Sequence, residues 1–355
     1  MTDKIKLLAV HQAIEKGKKH LLSKAVKGRW RGFPTMAGES DIWVSGFVLA
    51  HIFKLCEQDY HLEEVQNFIL KSQQPTNGWS YSAIVPSDAD STAWCLMALQ
   101  SNTKLTGIDL EKSKAFLWSH FIDGGISTYH TESGIREFIA APNNEAIAGW
   151  TSAHPDVSIA SVLADIENEK VPEILNRLID QQTDDGFINS YWWRGSYYTT
   201  TLLLRALAIL HKVLPKNQAK KIAEELVNRQ LLDGGFELDA NAIPDPFTTA
   251  LALEAFCHLS YLGQEHEKSL CAKNLLESQK QDGSWEGGFI LRIPAPNMLD
   301  PNQIDAWNTI HGGGNSYVKD QNGIFATTMA CYALDCFRTS QLEKNKKSES
   351  NNSAL

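Results

Sequence analysis

The sequence predicts an all-α protein: a single α/α6 barrel, in which six helix-pair repeats form a double ring. A short turn from Gln to an aromatic residue recurs, in places at a spacing of 49 residues, and an apolar block of constant length follows each turn. The four clear turns are Gln73–Trp79, Gln181–Phe187, Gln230–Phe236 and Gln279–Trp285, with weaker copies ending at Trp30 and Ile126. Such a period indicates one repeat architecture, although 355 residues alone would suggest about two domains.

The outer helix of each repeat is predicted from the segment that precedes the Gln. Charged residues recur there at helical spacing, as expected of a helix with one face in water. The four clearest segments are Glu63–Lys71, Pro172–Asp180, Ala219–Arg229 and Leu270–Ser278.

The inner helix is predicted from the block that follows each turn. The blocks are Asp88–Leu99, Ser196–Leu207, Asp245–Phe256 and Gly323–Leu334, and they align without gaps. Their first position holds a good N-cap, their fifth is always Thr, and the rest is almost uniformly apolar, which indicates helices buried on all sides. Since an open stack would expose a core face, we predict a closed barrel over residues 1–338. The polar residues 339–355 are predicted to be a disordered tail.

Composition restricts the class of partner and the compartment. The 33 Lys and Arg against 42 Asp and Glu give a net charge of −9, which argues against a nucleic-acid partner. No apolar run reaches the roughly 18 residues of a membrane span, and Met1–Val10 is too short and too charged for a signal peptide. Six cysteines without a CxxC pair indicate reduced thiols and a cytoplasmic location. A homodimer and a peripheral membrane contact are left open.

The turn motif carries a family resemblance. The segment Gln279–Trp285, with Gly283 between its ends, resembles the QW motif of triterpene cyclases, and Gln230–Phe236 is a close variant. The wider superfamily includes class II diterpene cyclases and protein prenyltransferase β subunits. The resemblance covers nearly the whole chain and implies the barrel, but one barrel hosts several activities.

The segment Asp88-Ala-Asp90-Ser-Thr-Ala93 resembles the DxDD motif of squalene–hopene and class II diterpene cyclases. The resemblance places Asp90 on the acid that protonates an alkene or epoxide and Asp88 on the first carboxylate, whereas Ser91 departs from the third. The third position of the four inner blocks points the same way, since it reads Asp90, Tyr198, Phe247 and Phe325. Burying a carboxylate costs several kcal/mol without a partner. Asp90 is therefore either a catalytic acid or a structural cap or ion-pair partner.

An acid that protonates an alkene has to be neutral at rest, and both burial and a neighbouring carboxylate favour the neutral form. We expect Asp88 and the Thr92 hydroxyl to support Asp90 in that role. The resulting cation needs a dry cavity walled by ring faces, at about 0.5–2 kcal/mol per contact. The predicted walls, each of which could instead be ordinary core packing, are Trp43, Trp94, Trp192, Trp193, Tyr198, Phe247 and Phe325.

The sequence therefore predicts an acid-initiated terpene cyclase with a small isoprenoid or prenylated substrate and no cofactor. A zinc prenyltransferase role is disfavoured because no Asp-x-Cys pair occurs and the Cys–His pairs lack ligand spacing, so no metal is predicted. A non-catalytic lipid-binding or scaffold barrel and an acid-catalysed cyclase of a non-terpenoid remain alternatives. The chain has room for one helical domain, so residues 127–154 and 287–322 are predicted to cap the barrel mouth.

Five further residues are weaker candidates. His154 and His311 lie in loops from which they could orient the proton of Asp90. Arg194 and Arg292 are candidate anchors for an anionic head group, with ion pairing equally favoured. Asp156 opens an inner helix and is predicted to cap it.

Overall fold

The computed structural model describes residues 5–56, 61–102, 109–131, 133–310 and 312–352, and helices dominate it. Outer and inner helices alternate along the chain. The outer helices are α1 (Leu7–Lys24), α3 (His61–Lys71), α5 (Glu111–Ser119), α9 (Val171–Asp180), α11 (Lys216–Arg229) and α13 (Glu265–Ser278). The inner helices are α2 (Ile42–Ile52), α4 (Ala89–Gln100), α8 (Pro155–Ala164), α10 (Tyr197–Ile209), α12 (Pro246–His258) and α14 (Ile324–Asn352).

Shorter elements lie in the connections between these helices. They include the short helices α6 (Ile135–Phe138) and α7 (Ala148–Thr151) and 3-10 turns at Phe53–Leu55, Ser260–Leu262 and Pro301–Gln303. Three small antiparallel sheets pair β1 (Gly32–Thr35) with β2 (Gly38–Ser40), β4 (Gly125–Ser127) with both β3 (Phe121–Ile122) and β5 (Ala153–His154), and β6 (Leu291–Ile293) with β7 (Ser316–Val318). The last two sheets hold the ends of the long segments 127–154 and 287–322.

The inner helices form a closed ring. Each packs against the next, in the order α2, α4, α8, α10, α12 and α14, and α14 returns to α2. The first outer helix, α1, packs against α14 and α13. This arrangement confirms the predicted double-ring barrel, because every inner helix has an inner neighbour on both sides.

The Gln and Trp of the turn motif make different bonds. The Gln279 side-chain Nε2 donates to the carbonyl of Ala13 at 2.8 Å and to that of Gly283 at 2.9 Å, so it joins the last outer helix to the first. The Trp285 indole donates to the carbonyl of Leu275 at 2.7 Å, which satisfies a C-terminal carbonyl of its own outer helix. The motif therefore closes the outer ring and ends the outer helix.

A hydroxyl near the start of each inner helix accepts a backbone N–H from the preceding turn. The six donor–acceptor pairs are Trp30–Ser45, Trp79–Thr92, Ile126–Ser158, Ile188–Thr200, Phe236–Thr249 and Trp285–Thr327, at 2.8–3.1 Å. These bonds explain the constant Thr at the fifth position of the block. The Thr92 hydroxyl also donates to the carbonyl of Asp88 at 2.6 Å. The expectation that Thr92 supports Asp90 is thus corrected: its hydroxyl holds the repeat framework, as its counterparts do.

The last helix continues beyond the predicted boundary at residue 338. α14 runs to Asn352, where the sequence predicts a disordered tail. Side chains of its extension contact Glu265 at the start of α13: Gln341 Nε2 donates to the Glu265 carboxylate at 3.1 Å, and Lys344 Nζ lies 3.5 Å from it. These contacts stabilise a segment whose composition alone favours disorder. Within the described ranges, no helix is long and apolar enough to cross a membrane.

A buried ion pair lies among the C-terminal halves of the inner helices. Arg205 on α10 donates through Nε and Nη2 to the two carboxylate oxygens of Glu254 on α12, at 2.6 and 2.8 Å. Burial would raise the pKa of Glu254, but the Arg205 charge outweighs it and brings that pKa to about 2. Burial lowers the pKa of His51 to about 3, so its neutral ring accepts from Arg205 Nη1 at 2.9 Å. These hydrogen bonds join α2, α10 and α12 near their C-terminal ends, on the side of the barrel away from the turns.

Replacing Glu254 by Gln should lower the free energy of unfolding by about 3–5 kcal/mol, because it leaves the Arg205 charge buried without a counter-charge. The measurement is urea denaturation at pH 7. Glu277→Gln is the matched control, since Glu277 forms an exposed pair with Lys273 at 3.7 Å and should cost less than about 0.5 kcal/mol. Equal losses in the two variants would contradict a stabilising role for the buried pair.

Candidate active site

A cavity of about 580 Å³ lies among the N-terminal ends of the inner helices, within the size range of ligand sites. It is bordered by the first turns of α2 and α4 and by the segments 127–154 and 287–322. The lining is mainly apolar and aromatic, and Asp88 and Asp90 both contribute to it. The two long segments therefore line the mouth, as predicted.

Asp88 is the N-cap of α4. Its carboxylate accepts from the backbone N–H and from the hydroxyl of Ser91, each at 2.7 Å. Asp245 makes the same pair of bonds to Thr248 at the start of α12. Burial outweighs the effect of the two Ser91 bonds and raises the pKa of Asp88 to about 7. Ser91, which departs from the family pattern, is thus a partner of Asp88.

Asp90 is the second residue of α4, and its carboxyl borders the cavity. The Trp43 indole N–H donates to Asp90 Oδ2 at 2.8 Å. Burial raises the pKa of Asp90 well above its usual range, the negative charges of Asp88 and Asp156 raise it further, and the Trp43 bond opposes them. Within the described part of the chain, no Lys, Arg or His is paired with Asp90. The site therefore favours a carboxyl that keeps its proton.

Asp156 does not cap its helix, so the predicted capping role is wrong. The N-cap of α8 is His154, and Asp156 is the second residue of the helix, with its Oδ2 accepting from the backbone N–H of Trp192 at 2.7 Å. Its Oδ1 is buried without a hydrogen-bond partner. Burial raises the pKa of Asp156 despite the bond from Trp192. Asp156 holds the backbone of a cavity wall and acts on Asp90 through its charge.

Three of the predicted aromatic walls line the cavity: Trp43, Trp192 and Trp193. The Trp43 and Trp193 ring centroids lie 5.9 Å apart. The Trp192 indole donates to the Thr128 hydroxyl at 2.7 Å, and that hydroxyl lies 2.9 Å from His154 Nδ1. These contacts fix the orientation of the rings that face the cavity.

The other four predicted walls lie outside the cavity lining: Trp94, Tyr198, Phe247 and Phe325. Trp193 covers two of them, since it stacks on Tyr198 at 4.1 Å and on Phe247 at 5.3 Å between centroids. Phe325 packs against Trp43 at 5.0 Å. Tyr198, Phe247 and Phe325 therefore form a second layer, which supports the rings of Trp43 and Trp193.

Sequence reasoning missed several lining residues. Tyr81, Tyr129 and Trp150 border the cavity, and the rings of Tyr129 and Trp150 stack at 6.0 Å. All three belong to connecting segments outside the periodic blocks. The extra length of residues 127–154 was the one available signal for the last two.

The weaker candidates have structural partners. The buried His154 ring stacks on Tyr191 at 3.8 Å, and its Nε2 donates to the Gly149 carbonyl at 2.6 Å. Arg194 pairs with Asp239. Arg292 Nε donates to the Tyr191 carbonyl at 2.9 Å, and its Nη2 donates to that of Ser190. None of the three borders the cavity, and His311 lies outside the described residues.

Three or more His, Cys, Asp or Glu side chains placed to hold a metal ion do not occur together in the described ranges. The polar groups of the site are therefore carboxyls, hydroxyls and indole N–H groups. Such a set can hold and deliver a proton next to apolar surface.

Asp90→Asn should stabilise the protein at high pH. A group whose pKa is raised by folding contributes stability below its unfolded pKa of about 4, and that contribution is lost as the pH rises through the folded pKa. Asn has nearly the same shape as Asp but does not ionise, so the variant does not lose this stability as the pH rises. We expect the variant to gain at least about 1 kcal/mol over the wild type between pH 4 and pH 8, measured by urea denaturation. The exposed Asp123→Asn is the control; an equal gain there would contradict an unfavourable buried carboxyl.

The comparisons with known proteins agree with this geometry. The sequence model of the "Prenyltransferase alpha-alpha toroid domain" matches residues 19–189 and 196–345. No curated protein sequence matches the chain significantly. Among solved structures, a variant of the type II terpene cyclase MstE from Scytonema, in complex with geranylgeranyl dihydroxybenzoate as substrate, is 27% identical with a TM-score of 0.82, over 94% of this chain and 99% of that one.

Two further structures are similar over nearly the same length. A second MstE variant, in complex with the product merosterolic acid A, is 26% identical with a TM-score of 0.84, over 94% of this chain and 98% of the other. A protein from Actinoplanes is 25% identical with a TM-score of 0.82, over 92% and 99%. With the toroid match covering most of its length, this chain belongs to the prenyltransferase alpha-alpha toroid domain family.

Proposed function

We propose that this chain is a class II terpene cyclase that acts on a linear isoprenoid joined to an aromatic group. In this proposal Asp90 is the general acid, and the cavity beside it binds the isoprenoid chain. The type II cyclases with which the chain shares its fold support an acid-initiated enzyme. The similarity to MstE extends over 98–99% of that protein, which in those structures holds a prenylated substrate or its product. A barrel of this length alone can therefore enclose such a molecule.

The observation that carries the proposal is the environment of Asp90. The carboxyl lies beside an apolar cavity, where the Trp43 indole N–H donates to it and two carboxyl groups are its charged neighbours. A structural carboxylate would be expected to face an arginine or a lysine, as Glu254 does, or to accept bonds from the start of its own helix, as Asp88 does. An acid that has to protonate an alkene needs the environment of Asp90.

The proposed reaction begins with transfer of the Asp90 proton to the terminal alkene of the chain. The π electrons form the new C–H bond, and the more substituted carbon becomes a cation. The carboxylate that remains on Asp90 accepts from the Trp43 indole, which stabilises it at the moment when charge appears. The Trp43 bond thus stabilises the carboxylate that proton transfer leaves on Asp90 more than it stabilises the protonated carboxyl.

The cation then moves along the chain as each internal alkene attacks it and closes a ring. The faces of Trp43, Trp192 and Trp193 border the cavity and attract positive charge at about 0.5–2 kcal/mol per contact. Loss of a proton from the last cation ends the sequence, so the overall reaction is an isomerisation. Once Asp90 regains a proton, the enzyme is ready for another turnover.

Asp90→Asn should abolish cyclisation, because the amide has no proton of suitable acidity to give. We expect the rate to fall by about 10²- to 10⁴-fold or below detection. The measurement is incubation with geranylgeranyl dihydroxybenzoate, with mass-matched cyclic products detected by liquid chromatography. Asp123→Asn should retain activity. Equal product from both variants would exclude Asp90 as the acid, whereas tight binding without product in the wild type would favour the lipid-binding alternative.

The cyclisation rate should decrease as the pH rises through the raised pKa of Asp90, because only the protonated form is active. Asp88→Asn should move that decrease to lower pH by about 0.5–1 unit, since it removes a negative charge that disfavours ionisation of Asp90. Asn still caps the helix, so α4 should remain intact. The measurement is a pH profile of kcat for both proteins; an unchanged or upward-shifted profile would contradict the coupling.

A further inference from the structure

The ionisable side chains that line the cavity, in the described part of the chain, are acidic or phenolic. The cavity lining contains the carboxyl groups of Asp88, Asp90 and Glu145, whereas no Lys, Arg or His belongs to it in the described part of the chain, which leaves His311 aside. A bound anion would meet carboxyl groups without a compensating cation. Since burying an unpaired charge costs several kcal/mol, this inventory disfavours an anionic ligand at any depth of the cavity.

Two arginines follow lining residues in the chain, and hydrogen bonds to the protein hold both side chains. Arg136 lies beside lining residue Ile135, but its Nη1 donates to the carbonyls of Pro142 and Glu145, at 2.7 and 2.8 Å. Arg292 is 4% exposed and donates to backbone carbonyls and to Asn302. Arg136 therefore shapes the loop at the mouth, and Arg292 is closed off from it.

Part of the cavity lining consists of rings, short apolar side chains and backbone. Residues 138–142 and Gly312–Gly314 belong to this part, and the three glycines can present only main-chain atoms. The Tyr129 and Trp150 rings also border the cavity, and the Trp150 indole donates to the Pro294 carbonyl at 3.0 Å. Such surfaces suit a flat, uncharged group that stacks and makes neutral hydrogen bonds.

We propose that the aromatic head group of the substrate is uncharged, a phenol or phenolic ester, and not a carboxylate or a diphosphate. This inference rests on the proposed function, because the head group is the part of the molecule left at the mouth when the terminal alkene reaches Asp90. Glu145, which is exposed and borders the mouth, disfavours a carboxylate there. The structure thus assigns specificity to the sign of the charges around the mouth.

The test compares two ligands that differ only in one charge: geranylgeranyl dihydroxybenzoate and its methyl ester. Affinities are measured at pH 8 by quenching of tryptophan fluorescence in the wild type and in Asp90→Asn, and kcat/KM is measured in the wild type. We expect the ester to bind at least tenfold more tightly than the acid in both proteins, and its kcat/KM to be higher by a similar factor. Equal or tighter binding of the acid would overturn the inference.

The binding arm separates this inference from the proposed function. Preference for the ester without turnover of either ligand would support an uncharged head group and contradict the cyclase. Turnover of both ligands with preference for the acid would support the cyclase and contradict an uncharged head group. Geranylgeranyl diphosphate serves as a second anionic ligand and should also bind more weakly than the ester.

Glu145 provides a second, independent arm. Glu145→Gln should lower the ester-to-acid affinity ratio by about two- to fivefold and Glu145→Lys by about tenfold, as expected of a partly screened charge at the mouth. Glu277→Gln, on the outer surface of α13, should leave the ratio unchanged. An unchanged ratio in both Glu145 variants would mean that this carboxylate does not face the head group and would overturn its assigned role.

Discussion

The proposed chemistry depends on one carboxyl group, that of Asp90, which is not paired with a cation in the described part of the chain. Asp90 faces the charges of Asp88 and Asp156, and the Trp43 indole donates to its carboxyl group. Folding therefore costs free energy at high pH, and the cost is the same property that makes the group a usable acid. Glu254 is a carboxylate with a stabilising role in the same barrel. Arg205 donates to both of its oxygens and keeps it ionised. The two carboxyls differ in their partners: Glu254 is paired with an arginine, whereas Asp90 lies beside two other carboxyl groups.

The repeat framework places this acid. Because Thr92 binds the turn residue Trp79 as Thr249 binds Phe236, the two inner helices begin at the same height relative to their turns. The third position of the block is then brought to the cavity end of the barrel in each repeat. A change of one residue type at this position, from ring to carboxyl, introduces chemistry without altering the scaffold. The Asp88 cap fixes the first turn of α4 and so the direction of Asp90.

The fold could be predicted because it is periodic, and the cavity could be predicted only in part because it is not. Asp90 was found from the resemblance to the DxDD motif and from the comparison of equivalent positions, and neither needs knowledge of contacts. The same comparison misplaced Tyr198 and Phe247, since Trp193, from the irregular segment before α10, inserts above them. It also missed Tyr129, which a long connection brings to the mouth. Side chains whose positions depend on loop conformation leave no periodic signal.

The acidic groups around the cavity favour the protonated form of Asp90, and they also favour a cationic intermediate. A carbocation in the cavity would be destabilised by an unpaired cation nearby, and Arg205, in the C-terminal half of α10, is neutralised by Glu254. Two aromatic layers, the cavity walls and the rings beneath them, separate the two sites. If Arg205 were unpaired, its field would oppose positive charge above it, because low-dielectric surroundings screen weakly. The buried pair therefore supports the proposed chemistry as well as the fold, since it lets the barrel close without an unpaired cation beneath the cavity.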